Sequence, residues 1–131
     1  MVSEMNMIIA VLNICTGIGI ITFWILFFTT DALKPEDPPE GWLAHEQSFV
    51  LPDSVFSLAL IVAGVLLMLG NAAGERLSLI ATGGLLFLGL IDCAYIIKNH
   101  SVTVVQFIKN HPHVLWVLFY GLFLAVRFIE R

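Results

Sequence analysis

Apolar residues in this chain fall into four long runs, and the polar residues collect between them. The runs are Met7–Thr29, Ser54–Gly70, Leu77–Ile97 and Val114–Ile129. An α-helix rises about 1.5 Å per residue, so roughly 20 apolar residues cross a hydrocarbon layer about 30 Å thick. The first and third runs reach that length. The second and fourth, about 16–17 residues, sit at the short end of the spanning range, where local thinning or polar anchors at the ends accommodate them. Asn71–Gly74 reads as a tight turn, making the second and third runs an antiparallel hairpin. The pattern predicts an all-α membrane protein. It is an up-down bundle of four transmembrane helices in one domain, residues 1–131, with a long first loop that forms an interfacial helix or a cap.

Composition agrees with that reading. Of 131 residues, 59% are hydrophobic and 12% are charged, and the mean hydropathy is +0.95. So little charge could not cover the apolar surface of a soluble domain of this size. The first run does not read as a cleaved signal peptide: its leader, MVSEMN, carries Glu4 in place of a basic residue, and no A-x-A site follows. A net charge of −4 argues against nucleic acid or an anionic lipid surface as a partner, since both favour basic patches. The partners expected are the lipid bilayer and, beyond it, further copies of the chain or another membrane subunit. Cys15 and Cys93 lie toward opposite ends of parallel runs, too far apart in depth for a disulfide, and there is no C-x-x-C.

Four crossings put the N-terminus, the Asn71–Arg76 loop and the C-terminus on one side, and the Thr30–Asp53 and Lys98–His113 loops on the other. Arg76, Arg127 and Arg131 balance Lys34, Lys98 and Lys109, so the positive-inside rule does not decide orientation by count. The long, acidic first loop weighs less in that rule and tips the termini toward the cytoplasm. The remaining polarity is lopsided. His45, His100, His111 and His113 all fall in the two far-side loops, with Asp31, Glu36, Asp37, Glu40, Glu46 and Asp53.

Within the runs, Asn13, Thr16, Gly17 and Trp24 recur at helical spacing and draw a packing seam, since small residues let helices approach and a membrane Asn bonds to a neighbour. In the first loop Lys34–Glu40 (KPEDPPE) is extended and irregular, while Gly41–Leu51 (GWLAHEQSFVL) returns to amphipathic character with Trp42 as an interfacial anchor. Pro52 suits the first turn of a helix, and Asp53 there meets its unsatisfied N–H groups. Ser57 and Gly64 share a face of the second run. In the third, Thr82, Gly89, Asp92, Ile96 and Asn99 share a face, with Tyr95 adjoining. A charge in a spanning helix costs about 2.5–3.5 kcal/mol at its centre, so Asp92 is a candidate working group, five residues from the end of its run. The segment SVTVVQFIKN is apolar enough to lie in the interface, and His111-Pro112-His113 is too unspecific to assign a metal. Trp116, Tyr120, Phe123 and Arg127 share a face of the fourth run, which reads as packing or lipid contact.

HEQSFVLPDS, followed by a hairpin ending in GLLFLGLIDCAYIIKN, resembles a family of small four-span prokaryotic integral membrane proteins with the patterns H-E-x-S-F-x-L-P-D and G-L-x-D. The matching residues are His45, Glu46, Ser48, Phe49, Leu51, Pro52, Asp53, Gly89 and Asp92. The resemblance implies a multi-pass protein of a prokaryotic plasma membrane and marks the same face. It supplies no activity.

Non-enzymatic binding of a small ligand, a lipid or a partner subunit fits these features best, at a polar pocket lined by His45, Glu46, Asp53, Asp92, Tyr95 and Asn99. An oligomeric transporter or ion-conducting subunit is the alternative, although the middles of the second and fourth runs are apolar. A membrane enzyme using Asp92, Asp53, Glu46 and His45 as an acid–base set is a third reading. No catalytic residue, metal or cofactor is assigned.

Overall fold

The computed structural model describes residues 1–99 and 103–130. His100 and Arg131 therefore lie outside the described residues. Among those described, the chain forms an all-helical bundle of six helices: α1 Glu4–Thr29, α2 Trp42–Gln47, α3 Val50–Met68, α4 Ala73–Asn99, α5 Val104–Asn110 and α6 Pro112–Ile129. Four helical stretches are long and apolar enough to cross a membrane: α1, α2 with α3 (Trp42–Met68), α4 and α6.

The helices outrun the apolar runs that announce them, because caps and first turns are polar. α1 starts three residues before its run, where the Ser3 hydroxyl accepts from the Asn6 N–H at 3.1 Å. The second run is short only by composition. α3 begins at Val50, so Pro52 and Asp53 already lie in its first turn, and α2 follows almost without a break. α3 ends in a Schellman motif. Gly70 takes φ +69°, its N–H donates to the Leu67 carbonyl at 3.0 Å, and the Asn71 N–H donates to that of Leu66 at 2.9 Å. The Asn71 side chain then accepts from the Ala73 N–H and starts α4. The expected tight turn is this linkage.

The contacts divide the chain into two compact units, Met1–Ala81 and Thr82–Arg131. In the first, α1 and α3 pack antiparallel through glycine. A Cβ at Gly17 would come within 2.6 Å of the Ser57 carbonyl oxygen, and one at Gly64 within 2.7 Å of that of Ala10. Small residues thus let the two backbones touch. The seam read from Asn13, Thr16, Gly17 and Trp24 is real, since all four are buried. Asn13 Nδ2 donates to Ser78 Oγ at 2.9 Å, and Ser78 Oγ donates to the Gly74 carbonyl, which ties α1 to the start of α4.

In the second unit α4 and α6 run antiparallel. Gly89 faces Leu118 and Val117, and Gly121 faces Leu86. Thr82 and Ile96 are buried on the predicted face of α4. On α6 the aromatic line is half a seam. Tyr120 is buried, whereas Trp116 and Phe123 are exposed, and the rings stack at 5.3 and 6.3 Å between centroids.

Candidate functional site

The first unit builds its polar end from α1, α2 and α3. Gly41, at φ +78°, admits the chain to α2. One turn on, α2 turns Trp42, His45 and Glu46 inward, half-buried, while Leu43, Ala44 and Gln47 stay exposed. Trp42 packs on Phe27 at 6.0 Å, joining a ring cluster with Phe23, Trp24 and Phe28 near the end of α1. The His45 ring meets Phe49 edge-on at 5.1 Å. Lys34 bonds Asp31 at 3.0 Å and lies 5.7 Å from the Phe27 ring centre, which pins the acidic loop to the same cluster.

Asp53 is placed by two features. It lies in the first turn of α3, where the helix dipole favours a carboxylate. It also accepts a hydrogen bond from Trp24 Nε1 at 3.0 Å. That second partner, from the buried seam of α1, is one that sequence reasoning missed. The signal was present: the α1–α3 register that sets Gly17 against Ser57 brings the far end of α1 toward the start of α3.

The second unit places the other predicted residues on α4. Asp92 and Tyr95 are half-buried, and Asn99 is exposed, its amide donating to the Tyr95 carbonyl at 2.9 Å. Asn99 thus serves its own helix end. The Asp92 carboxylate lies within electrostatic range of His113. This is a correction to the reading of His113 as a loop residue. Pro112 occupies the first turn of α6, a position that suits proline, so His113 belongs to the helix and His111 to its cap. The His111 and His113 rings are 6.1 Å apart, and Phe107 of α5 is 5.5 Å from His111. Cys93, beside Asp92, is a free thiol, as is Cys15.

Both units show the same inversion of polarity. Near His45, Glu46 and Asp53, the exposed positions include Leu43, Leu51 and Val55, with Leu51 74% exposed, beside the polar Gln47 and Ser48. Around Asp92 they include Leu90, Ile91 and Ile97, with Lys98 and Asn99 exposed at the helix end. Carboxylates and an imidazole are half-buried while much of the neighbouring exposed surface is leucine, isoleucine and valine, which a water-soluble surface seldom gathers. Chemically, such groups can accept hydrogen bonds, pair with a cation or exchange a proton.

Neither the curated proteins nor the solved structures include a match to this chain. A family model described as "Domain of unknown function (DUF8058)" matches residues 3–128, nearly the whole sequence and both units, and the chain belongs to that family.

Proposed function

We propose that this is a multi-pass integral membrane protein that binds a small polar ligand, a lipid or a partner subunit at the face of the 30–53 and 98–113 loops, without catalysing a reaction. The long, acidic first loop weighs less in the positive-inside rule, which favours cytoplasmic termini, and the resemblance points to a prokaryotic plasma membrane. His45, Glu46, Asp53, Asp92 and Tyr95 are the residues proposed to meet the ligand. Asn99 belongs to the same set, although its amide already serves the end of α4.

The inverted polarity carries this reading. Acids are uncommon in long apolar helical stretches and often mark a working site, and here Glu46, Asp53 and Asp92 lie half-buried near helix ends where much of the exposed surface is aliphatic. The transporter alternative is less well supported. Most of the polar groups deep in the long helices, Asn13, Ser57 and Ser78, are already engaged in hydrogen bonds that fasten helices or close a turn.

Native mass spectrometry of the protein released from mild detergent tests the proposal. The wild type is expected to retain a bound molecule, lipid or subunit that Asp92→Asn and Glu46→Gln lose, with thermal midpoints unchanged. Variants that unfold more readily yet keep the same bound species would assign these side chains to structure alone.

A further inference from the structure

Among the described residues, the short helix α5 packs against the start of α6 and leaves most of its surface open. It contains seven residues, VVQFIKN, and opens on two β-branched valines. Helices of this length are unstable in water even with better formers. A capping box secures its start: the Gln106 N–H donates to Thr103 Oγ1 at 3.3 Å and the Thr103 N–H to Gln106 Oε1 at 3.0 Å. Of its residues only Phe107 is half-buried, toward His111 at the start of α6. The remaining apolar side chains are open: Val104 is 76% exposed, Val105 70% and Ile108 53%.

These three occupy one arc of about 100° around the helix, while Gln106, Lys109 and Asn110 fill the opposite side. The charge is as divided as the hydrophobicity. The chain as a whole carries −4, but Lys98–His113 holds two lysines and three histidines and no acid. α5 is also held close to the spanning helices, because α6 begins two residues after Asn110. An apolar arc backed by lysine, tethered where the chain enters a bilayer, has the chemistry of a helix lying in the headgroup region.

We infer that α5 is an interfacial anchor whose partner is the lipid surface, with Val104, Val105 and Ile108 set into the acyl-chain boundary and Lys109 reaching the phosphates. The inference rests on the reading that the four long stretches cross the membrane. It gives α5 a physical task. α6 is the shortest of those stretches, 18 residues against 26 or 27 in the others, and an anchor at its start fixes its depth and the level of His111 and His113.

The test is site-directed spin labelling of the full chain in lipid nanodiscs, after Cys15→Ser and Cys93→Ser. Single cysteines replace Val104, Val105, Gln106, Ile108, Lys109 or Asn110, with Ile80→Cys and Phe87→Cys as span controls. Labels at 104, 105 and 108 are expected to show a several-fold higher ratio of oxygen to nickel-chelate accessibility than labels at 106, 109 and 110. Equal aqueous accessibility at all six, with the controls in lipid, would overturn the inference alone. Low accessibility to both reagents at 104, 105 and 108 would overturn it in favour of a protein partner such as a second copy. Aqueous controls would instead overturn the membrane reading itself.

Discussion

At the scale of single residues, the Trp24–Asp53 hydrogen bond decides how the polar end of the first unit is held. A hydrogen bond to a charged group contributes about 1.5–3 kcal/mol. Trp24→Phe is therefore expected to lower unfolding free energy by about that much, while Asp53→Asn, which keeps an acceptor, costs less; denaturant titration in bicelles reads both. A smaller effect is expected at Asn13. Membrane side-chain hydrogen bonds average about 0.6 kcal/mol, so Asn13→Leu should cost about 0.5–2 kcal/mol, because Ser78 keeps its bond to the Gly74 carbonyl. Asp92 stood out in the sequence because an acid is costly in an apolar run. Its neighbour His113 did not, since the helix boundary that carries it is set by Pro112 and not by hydropathy.

At the scale of elements, glycine sets the helix contacts and provides graded tests. A methyl at Gly17 or Gly64 would meet a backbone carbonyl oxygen, which cannot swing aside. One at Gly121 would meet only the Leu86 side chain, and at Gly19 nothing lies within 4 Å. Gly17→Ala and Gly64→Ala should each destabilise by more than 1 kcal/mol, roughly the range for overpacking. Gly121→Ala should cost less, and Gly19→Ala should be neutral or stabilising through helix propensity. Thermal midpoints in one detergent would rank the four. Helix existence was legible because apolar runs this long have few other uses. Helix starts were not. Val50, Ala73 and Pro112 begin helices inside segments whose polar residues resemble loop. α5 was legible only as an apolar stretch, its T-x-x-Q cap being the overlooked sign of a helix.

At the scale of the whole molecule, the fold class follows from composition and period, whereas the polar face depends on which way side chains turn. The sequence places His45, Glu46, Asp53 and Asp92 near helix ends, but linear spacing does not tell that each is half-buried beside exposed aliphatics. That orientation turns a list of charged residues into a candidate binding face. Its premise is four crossings, with the 30–53 and 98–113 loops on one side. Cysteine accessibility in sealed vesicles tests that premise most directly, using Cys15→Ser and Cys93→Ser with single cysteines at Val2, Glu40, Asn71 or Asn110 and a membrane-impermeant maleimide. Glu40→Cys and Asn110→Cys are expected to label from the same side, and Val2→Cys and Asn71→Cys only from the other. Labelling of positions 40 and 110 from opposite sides, or of 40 and 71 from the same side, would contradict the account.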